Sequence, residues 1–294
     1  MRGRGAAEDS LTVFVISTGE DVLGDCLDAL ERQSRPVQVE MITDVYPMGA
    51  AFQAMPDRCA TPYFLQVDAD MVLEPHAAET LHDALAASSP RIFQVSGQLY
   101  EEGFGPGGAV KCWKRSLFRF FSFHDVRTVD RDLYRRTRRF GLGRRHIEER
   151  VGVHVPRHSV ESEWLKAKGD VEKWRFLGRP PEMYAAPLVE ELLEGWPATQ
   201  HRLAGALLGA LTRGPRLARS KDIRYERALR ASALELIAPA GDLGAELDHE
   251  TRAAIVSAFA ESYAGGDRDP LARVLARVFG AEDAGAPLLD LTVA

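Results

Sequence analysis

Tyr63-Phe64-Leu65-Gln66-Val67-Asp68-Ala69-Asp70-Met71-Val72-Leu73, bounded by Pro62 and Pro75, is the stretch that decides the fold. A short apolar, aromatic and β-branched run between prolines reads as a buried strand, and its apolar character stops at two carboxylates one residue apart. Residues i and i+2 of a strand share a face, so Asp68 and Asp70 can aim together at a divalent cation or at the groups it holds. Open α/β sheets bind ligands beyond the carboxyl ends of their strands, where this pair lies. An isolated Asp-x-Asp is otherwise a pair of solvated turn residues; the strand ahead of it favours the metal.

Working towards the N-terminus, Leu11 to Ile16 reads as a first strand and Ser17-Thr18-Gly19 as the polar loop after it. Leu23, Leu27 and Leu30 recur at helical spacing and predict an amphipathic helix over about 21–33. Val37 to Val45 supplies a second strand with Asp44 near its end, and 50–60 a weak helix broken by Pro56. This β-α-β-α-β order predicts a mainly parallel sheet with right-handed crossovers. Ser17, Thr18, Asp44, Asp68 and Asp70 then converge at one sheet edge. Helix capping by Ser17 and Thr18, and an Asx bond by Asp44, are the competing explanations.

Towards the C-terminus, the pattern predicts a helix over 75–87, a strand over 91–99, a flexible glycine-rich loop over 101–108 without a P-loop ending, and a strand over 109–113. A helix from Thr128 to Phe140, stopped by Gly141, carries Asp130 in its first turn, where position alone favours capping or stabilisation by the helix dipole over a functional role. Residues 151–158 read as a short strand with His154 and His158 on one face; imidazoles there suit Mn2+, or are ordinary surface groups. From residue 183 the chain turns to alanine- and leucine-rich helices, including 201–211, 223–238 and one opened by Asp269-Pro270 and closed by Gly280. The expected organisation is a disordered 1–10, an α/β domain 11–182 (halves of about 11–75 and 76–182) and a helical region 183–294.

At 294 residues and 45% hydrophobic, the chain can bury one large core with a helical annex. No apolar run is long enough to span a bilayer and Met1-Arg2-Gly3-Arg4 leads into polar residues, which predicts a cytoplasmic protein. Cys26, Cys59 and Cys112 are too few and too scattered for a disulfide framework or a zinc site. A net charge of −6 argues against nucleic acid as a partner. Residues 111–150 nevertheless hold 13 Lys and Arg against 5 Asp and Glu. That surplus suits a nucleotide diphosphate, an anionic acceptor or peripheral contact with an acidic membrane, and is otherwise a solvated helix face. The basic connector Arg213 to Lys221 offers a second surface for lipid, and the C-terminal helices a surface for a homodimer.

The order of these parts resembles a glycosyltransferase of the GT-A fold, closest to the large family-2 group. The resemblance rests on the Asp-x-Asp strand after the β-α-β start, on Gly107-Gly108-Ala109-Val110-Lys111-Cys112-Trp113-Lys114-Arg115, and on Val129-Asp130-Arg131-Asp132-Leu133. It implies an α/β, Rossmann-like GT-A sheet flanked by helices, and an inverting, metal-dependent hexosyl transfer from a nucleotide-diphosphate sugar, UDP-sugar favoured, to an acceptor hydroxyl in glycan, polysaccharide or glycoconjugate synthesis. It implies Asp70 as principal ligand of Mn2+ or Mg2+ with His154, Asp68 on the metal or the donor ribose, Asp130 as base, Asp44 facing the nucleobase, and Ser17 and Thr18 lining its pocket. The chain departs from the pattern at Val129, where the family has Glu; at Thr43, where it has Asp; and at Phe52-Gln53, where it has Arg-Asn, leaving Gln53 and Arg58 as substitutes. The alternatives are a sugar-phosphate nucleotidyltransferase, whose glycine-rich Arg/Lys loop Ser17-Thr18-Gly19-Glu20-Asp21 does not match, and a nucleotide-binding scaffold without transferase activity.

Overall fold

The computed structural model describes residues 11–101, 105–155, 159–196, 199–237, 247–279, 287 and 289–290. Residues 1–10, His158 and Gly280, each given a role above, lie outside the described residues. The chain forms two compact units that divide between residues 157 and 158. The helix at 160–176 falls in the second of these units.

In the first unit, β1 (Leu11–Ser17), α1 (Leu23–Glu31), β2 (Val37–Thr43), α2 (Met48–Arg58) and β3 (Tyr63–Asp68) follow one another as read from the sequence. Then come β4 (Met71–Leu73), α3 (Ala77–Ala86), β5 (Ile92–Glu101), β6 (Gly105–Lys114), a 3-10 turn (Arg115–Arg119), α4 (Val129–Arg138) and β7 (Gly143–His154). The seven strands make one sheet in the order β2-β1-β3-β6-β5-β7-β4.

The sheet is mixed, which corrects the expectation of a mainly parallel one. β1 pairs in parallel with β2 and β3, and β5 with β7, whereas β3–β6, β5–β6 and β4–β7 are antiparallel. The reversal comes from the stretch expected to be a flexible loop: Gly105 to Gly108 already belong to β6, with Gly105 opposite Glu101. Gly105 and Gly108 have φ of +83° and +72°, a backbone state that glycine reaches without strain, where the register shifts between Gln98 and Tyr100. β7 likewise starts at Gly143, eight residues before the expected strand, because pairing with β5 holds an exposed, charged segment extended.

Alternation along the strands builds two cores. Leu11, Val13 and Val15 of β1 and Leu65 and Val67 of β3 pack on α1 and α3, while Phe14, Phe64 and Trp113 pack on α2 and α4. Each such side chain contributes about 1.5–3 kcal/mol by leaving water. Pro56 sits in the last turn of α2, where it ends the helix two residues later and does not break it.

The second unit contains α5 (Val160–Phe176), α6 (Pro181–Glu194), α7 (Gln200–Leu211), a short turn (Pro215–Ala218), α8 (Ile223–Ile237), α9 (His249–Tyr263) and α10 (Asp269–Val278). α7 lies close against α5, since a Cβ on Gly209 would stand 2.8 Å from the Lys168 carbonyl. The buried Lys168 ammonium is held 2.7 Å from both Glu172 and Glu226, which raise its pKa although burial alone would lower it. No helix among the described residues is long and apolar enough to cross a membrane.

Gly152 fixes the spacing of β4 and β7. A Cβ there would meet the Val72 carbonyl at 2.5 Å and the Leu73 Cα at 3.1 Å, both of them backbone atoms that cannot turn aside. Gly152→Ala is expected to lower stability by about 1–3 kcal/mol in denaturant unfolding; an unchanged midpoint would show that β4 is free to shift.

Candidate active site

β1 ends at Ser17 and β2 at Thr43, opposite one another in the parallel register. The loop after β1 closes on Glu20: its carboxylate accepts from Ser17 Oγ at 2.7 Å, the Thr18 amide at 2.8 Å and Thr18 Oγ1 at 2.6 Å. Ser17 and Thr18 thus shape the loop through Glu20. Asp44, in the left-handed region at φ 57°, is exposed beside them and accepts from the Tyr46 hydroxyl at 3.1 Å.

β3 ends at Asp68, and Ala69 and Asp70 turn the chain into β4. β4 pairs with β7 so that Met71 faces His154 across the ladder, and the Val155 amide donates to the Asp70 carbonyl at 2.8 Å. This pairing sets His154 Nε2 2.9 Å from Asp70 Oδ2 and His154 Nδ1 3.4 Å from Glu101 Oε2. Donating a hydrogen bond to Asp70 raises the imidazole pKa; burial opposes it, and the charges of Asp70 and Glu101, with a bond to Glu101, add to the rise. Asp70 Oδ1 is buried and has no hydrogen-bond partner among the described residues.

A buried carboxylate oxygen without a donor is costly to desolvate, and a cation would satisfy it. Among the described residues no group of three His, Cys, Asp or Glu is arranged to hold a metal. Asp70 and His154 nevertheless fit an ion of the Mg2+ or Mn2+ kind, which is commonly held by one or two protein groups with phosphate oxygens of a substrate completing its shell.

Asp130, in the first turn of α4, accepts the Arg131 amide at 2.8 Å through Oδ1 and forms a 2.8 Å ion pair with Lys111 through Oδ2. Lys111 stands on β6 opposite Gln66 of β3, two residues before Asp68 and on the same face. Its charge therefore acts on both carboxylates. Burial would raise the Asp130 pKa, but Lys111, the Arg131 amide and Arg144 together bring it below the usual carboxylate value. Lys111 itself is held charged against burial by Asp130, Tyr134 and Asp68. At Asp68, burial and the neighbouring Asp70 push the carboxyl from 3.8 up to about 6, with Lys111 and His154 pulling the other way and Glu20 adding to the rise.

Asp70 is thus in contact with His154, Asp68 feels the charges of Asp70, His154 and Lys111, and Lys111 is paired with Asp130; Ser17, Thr18 and Asp44 lie at the neighbouring strand ends. Gln53 and Arg58 stand apart. Gln53 spans from Asp57 Oδ1 to the Phe123 amide, both at 2.8 Å, and fastens the segment before α4. Arg58 is the last residue of α2, at the end that returns to the start of β3, and donates to the Met41 carbonyl at 3.5 Å. Lys111, Glu20 and Glu101 were assigned no role from the sequence. Lys111 carried a legible signal, a single cation inside the apolar run Ala109 to Trp113.

No protein-family model and no curated protein sequence matches the chain. It is similar to the solved structure of a mannosyltransferase, PcManGT from Pyrobaculum calidifontis in complex with GDP-Man and Mn2+, at 16% identity over 94% of this chain and 86% of that chain, with a TM-score of 0.45. It is also similar to S. aureus TarS 1-349 in complex with UDP, at 12% identity over 95% and 90% of the two chains (TM-score 0.37). A third similarity is to the 4-diphosphocytidyl-2C-methyl-D-erythritol synthase of Anaerococcus prevotii, at 10% identity over 51% of this chain and 90% of that chain (TM-score 0.31). The chemistry of the site is read from its own geometry.

Because folding raises the Asp68 pKa, the associated stability is full below the ordinary value of 3.8 and is lost as pH rises through about 6. In metal-free protein Asp68→Asn is expected to raise stability above that window by about 1–3 kcal/mol, with the gain fading at lower pH. Unfolding curves across this range check it; a loss of stability at neutral pH would contradict the carboxylate repulsion.

Proposed function

We propose that the chain is a GT-A-type glycosyltransferase that moves a sugar from a nucleotide-diphosphate donor to an acceptor hydroxyl, with inversion at the anomeric carbon. The observation that supports this reading is the Lys111 ammonium, paired with Asp130 and acting on Asp68, whose neighbour Asp70 is bonded to His154. Transfer needs negative charge stabilised on a departing diphosphate and a proton removed from the attacking hydroxyl, so it calls for a cation site and a base in one place.

Asp70 and His154 would hold Mn2+ or Mg2+, which when bound supplies a Lewis acid for the diphosphate oxygens. Asp68, on the same strand end, faces the ribose or the ion. Asp130 is the base: Lys111 keeps it ionised, ready to accept a proton, but also lowers its basicity. A diphosphate that draws the Lys111 ammonium towards itself would relieve that effect and make Asp130 a stronger acceptor as the donor binds. A base on the side opposite the leaving group gives inversion. Asp44 and the Glu20-braced loop of Ser17 and Thr18 stand where a nucleobase would rest, and a UDP-sugar is the favoured donor.

The same ion pair would persist in a nucleotide-binding scaffold, and two variants separate the readings. Asp130→Asn is expected to fold normally, to bind UDP or GDP as the unmodified protein does, and to lose about 10²- to 10⁴-fold in sugar transfer with Mn2+. Asp70→Ala is expected to abolish the Mn2+-dependent part of nucleotide diphosphate binding in calorimetry. Near-full transfer by Asp130→Asn would remove the base from the mechanism; nucleotide binding indifferent to Mn2+ would favour the scaffold.

A further inference from the structure

α4 carries Asp130 at its first turn and ends, about 12 Å further on at 1.5 Å per residue, in Arg138, Arg139 and Phe140. Beside that end lies the turn that closes the 3-10 segment. The Phe121 and Phe140 rings meet edge to face with centroids 5.5 Å apart, so the two segments form one surface. On it Phe120 is 85% exposed and Phe140 72% exposed. Arg119, Arg138 and Arg139 are exposed around them, and their guanidinium groups form no hydrogen bond or ion pair among the described residues.

We propose that this surface docks on an anionic membrane, Phe120 and Phe140 entering the interfacial layer while Arg119, Arg138 and Arg139 pair with lipid phosphates. Charge complementarity selects the partner. Residues 115–121 and 135–141 contain six arginines and no acidic residue, in a chain of net charge −6. Asp132, the acid of α4 closest to this end, is already bonded to Arg135, Arg136 and His124. An open cavity of about 450 Å3, lined by Lys114, Arg115 and Arg119 with the single carboxylate Asp57, opens beside Phe120 and offers room for a phosphate headgroup. Asp57 itself accepts from Gln53.

Two aromatic rings held in water among unpaired cations are costly for a soluble surface and suited to an interface where the rings leave water and the cations meet phosphate. A two-fold contact with a second copy of the chain would instead set this cationic surface against itself. Attachment would be peripheral, through side chains alone.

Sedimentation of the full chain with phosphatidylcholine vesicles, with and without phosphatidylglycerol, tests the proposal. Binding is expected only with the anionic lipid and to weaken as salt rises. Arg119→Gln with Arg138→Gln and Arg139→Gln should reduce partitioning on the order of a hundredfold. Phe120→Ala with Phe140→Ala should reduce it about tenfold or more, and unfolding curves should show both variants folded. Failure of the unmodified protein to bind anionic vesicles overturns the proposal, as does binding unchanged in both variants. Concentration-dependent dimers that the Phe variant disperses, or preferential binding of single-stranded RNA over vesicles, would give the surface another occupant and overturn it too. The readout is lipid binding alone, so its outcome is independent of the transfer assay.

Discussion

The pairing of β4 with β7 is the constraint on which the site depends. β3 alone would deliver two carboxylates to a sheet edge and leave them to solvent. Folding the chain back through Ala69 and pairing Met71 with His154 places an imidazole 2.9 Å from Asp70 and leaves the other oxygen of that carboxylate buried and, among the described residues, unsatisfied. A glycine at position 152 permits the approach, because any larger residue would touch the backbone of β4.

That arrangement is electrostatically expensive. Asp68 is buried and repelled by Asp70 and, more weakly, by Glu20, and its raised pKa records the burial first and the repulsion second. Two cations offset it: Lys111, shared between Asp68 and Asp130, and the imidazole of His154. Buried like charges are unfavourable for folding alone, so their concentration at one strand end argues for a cationic ligand and a role in chemistry. In the proposed mechanism the same charges meet a diphosphate and a metal ion, and Lys111 is the group whose partner changes.

Much of this was legible in the sequence, for identifiable reasons. The strand 63–68 and its two aspartates announce themselves because an apolar run ends abruptly in charge, and the β-α-β start follows from periodicity. The antiparallel half was less visible. Gly105 to Gly108 reads as a loop by composition, yet Gly105 and Pro106 lie opposite Glu101 and Tyr100 where β6 pairs with β5. Residues 143–150 read as a solvated basic stretch because edge-exposed strands carry charge on both faces. Gln53 and Arg58 are pointed to only by the family resemblance; in the structure Gln53 bonds Asp57 and the Phe123 amide, and Arg58 the Met41 carbonyl, contacts that local pattern does not encode. Glu20 acts through bonds to its close sequence neighbours Ser17 and Thr18, and Glu101 through a tertiary contact with His154 that local pattern does not encode.

The account rests on Asp70 and His154 holding a divalent ion that a nucleotide diphosphate completes. The most direct measurement is an anomalous difference map from crystals of the protein grown with Mn2+ and UDP or GDP. A Mn2+ peak within coordination distance of the Asp70 carboxylate, the His154 imidazole and the diphosphate is the predicted result. A bound nucleotide with the manganese elsewhere, or with none beside Asp70, would contradict it.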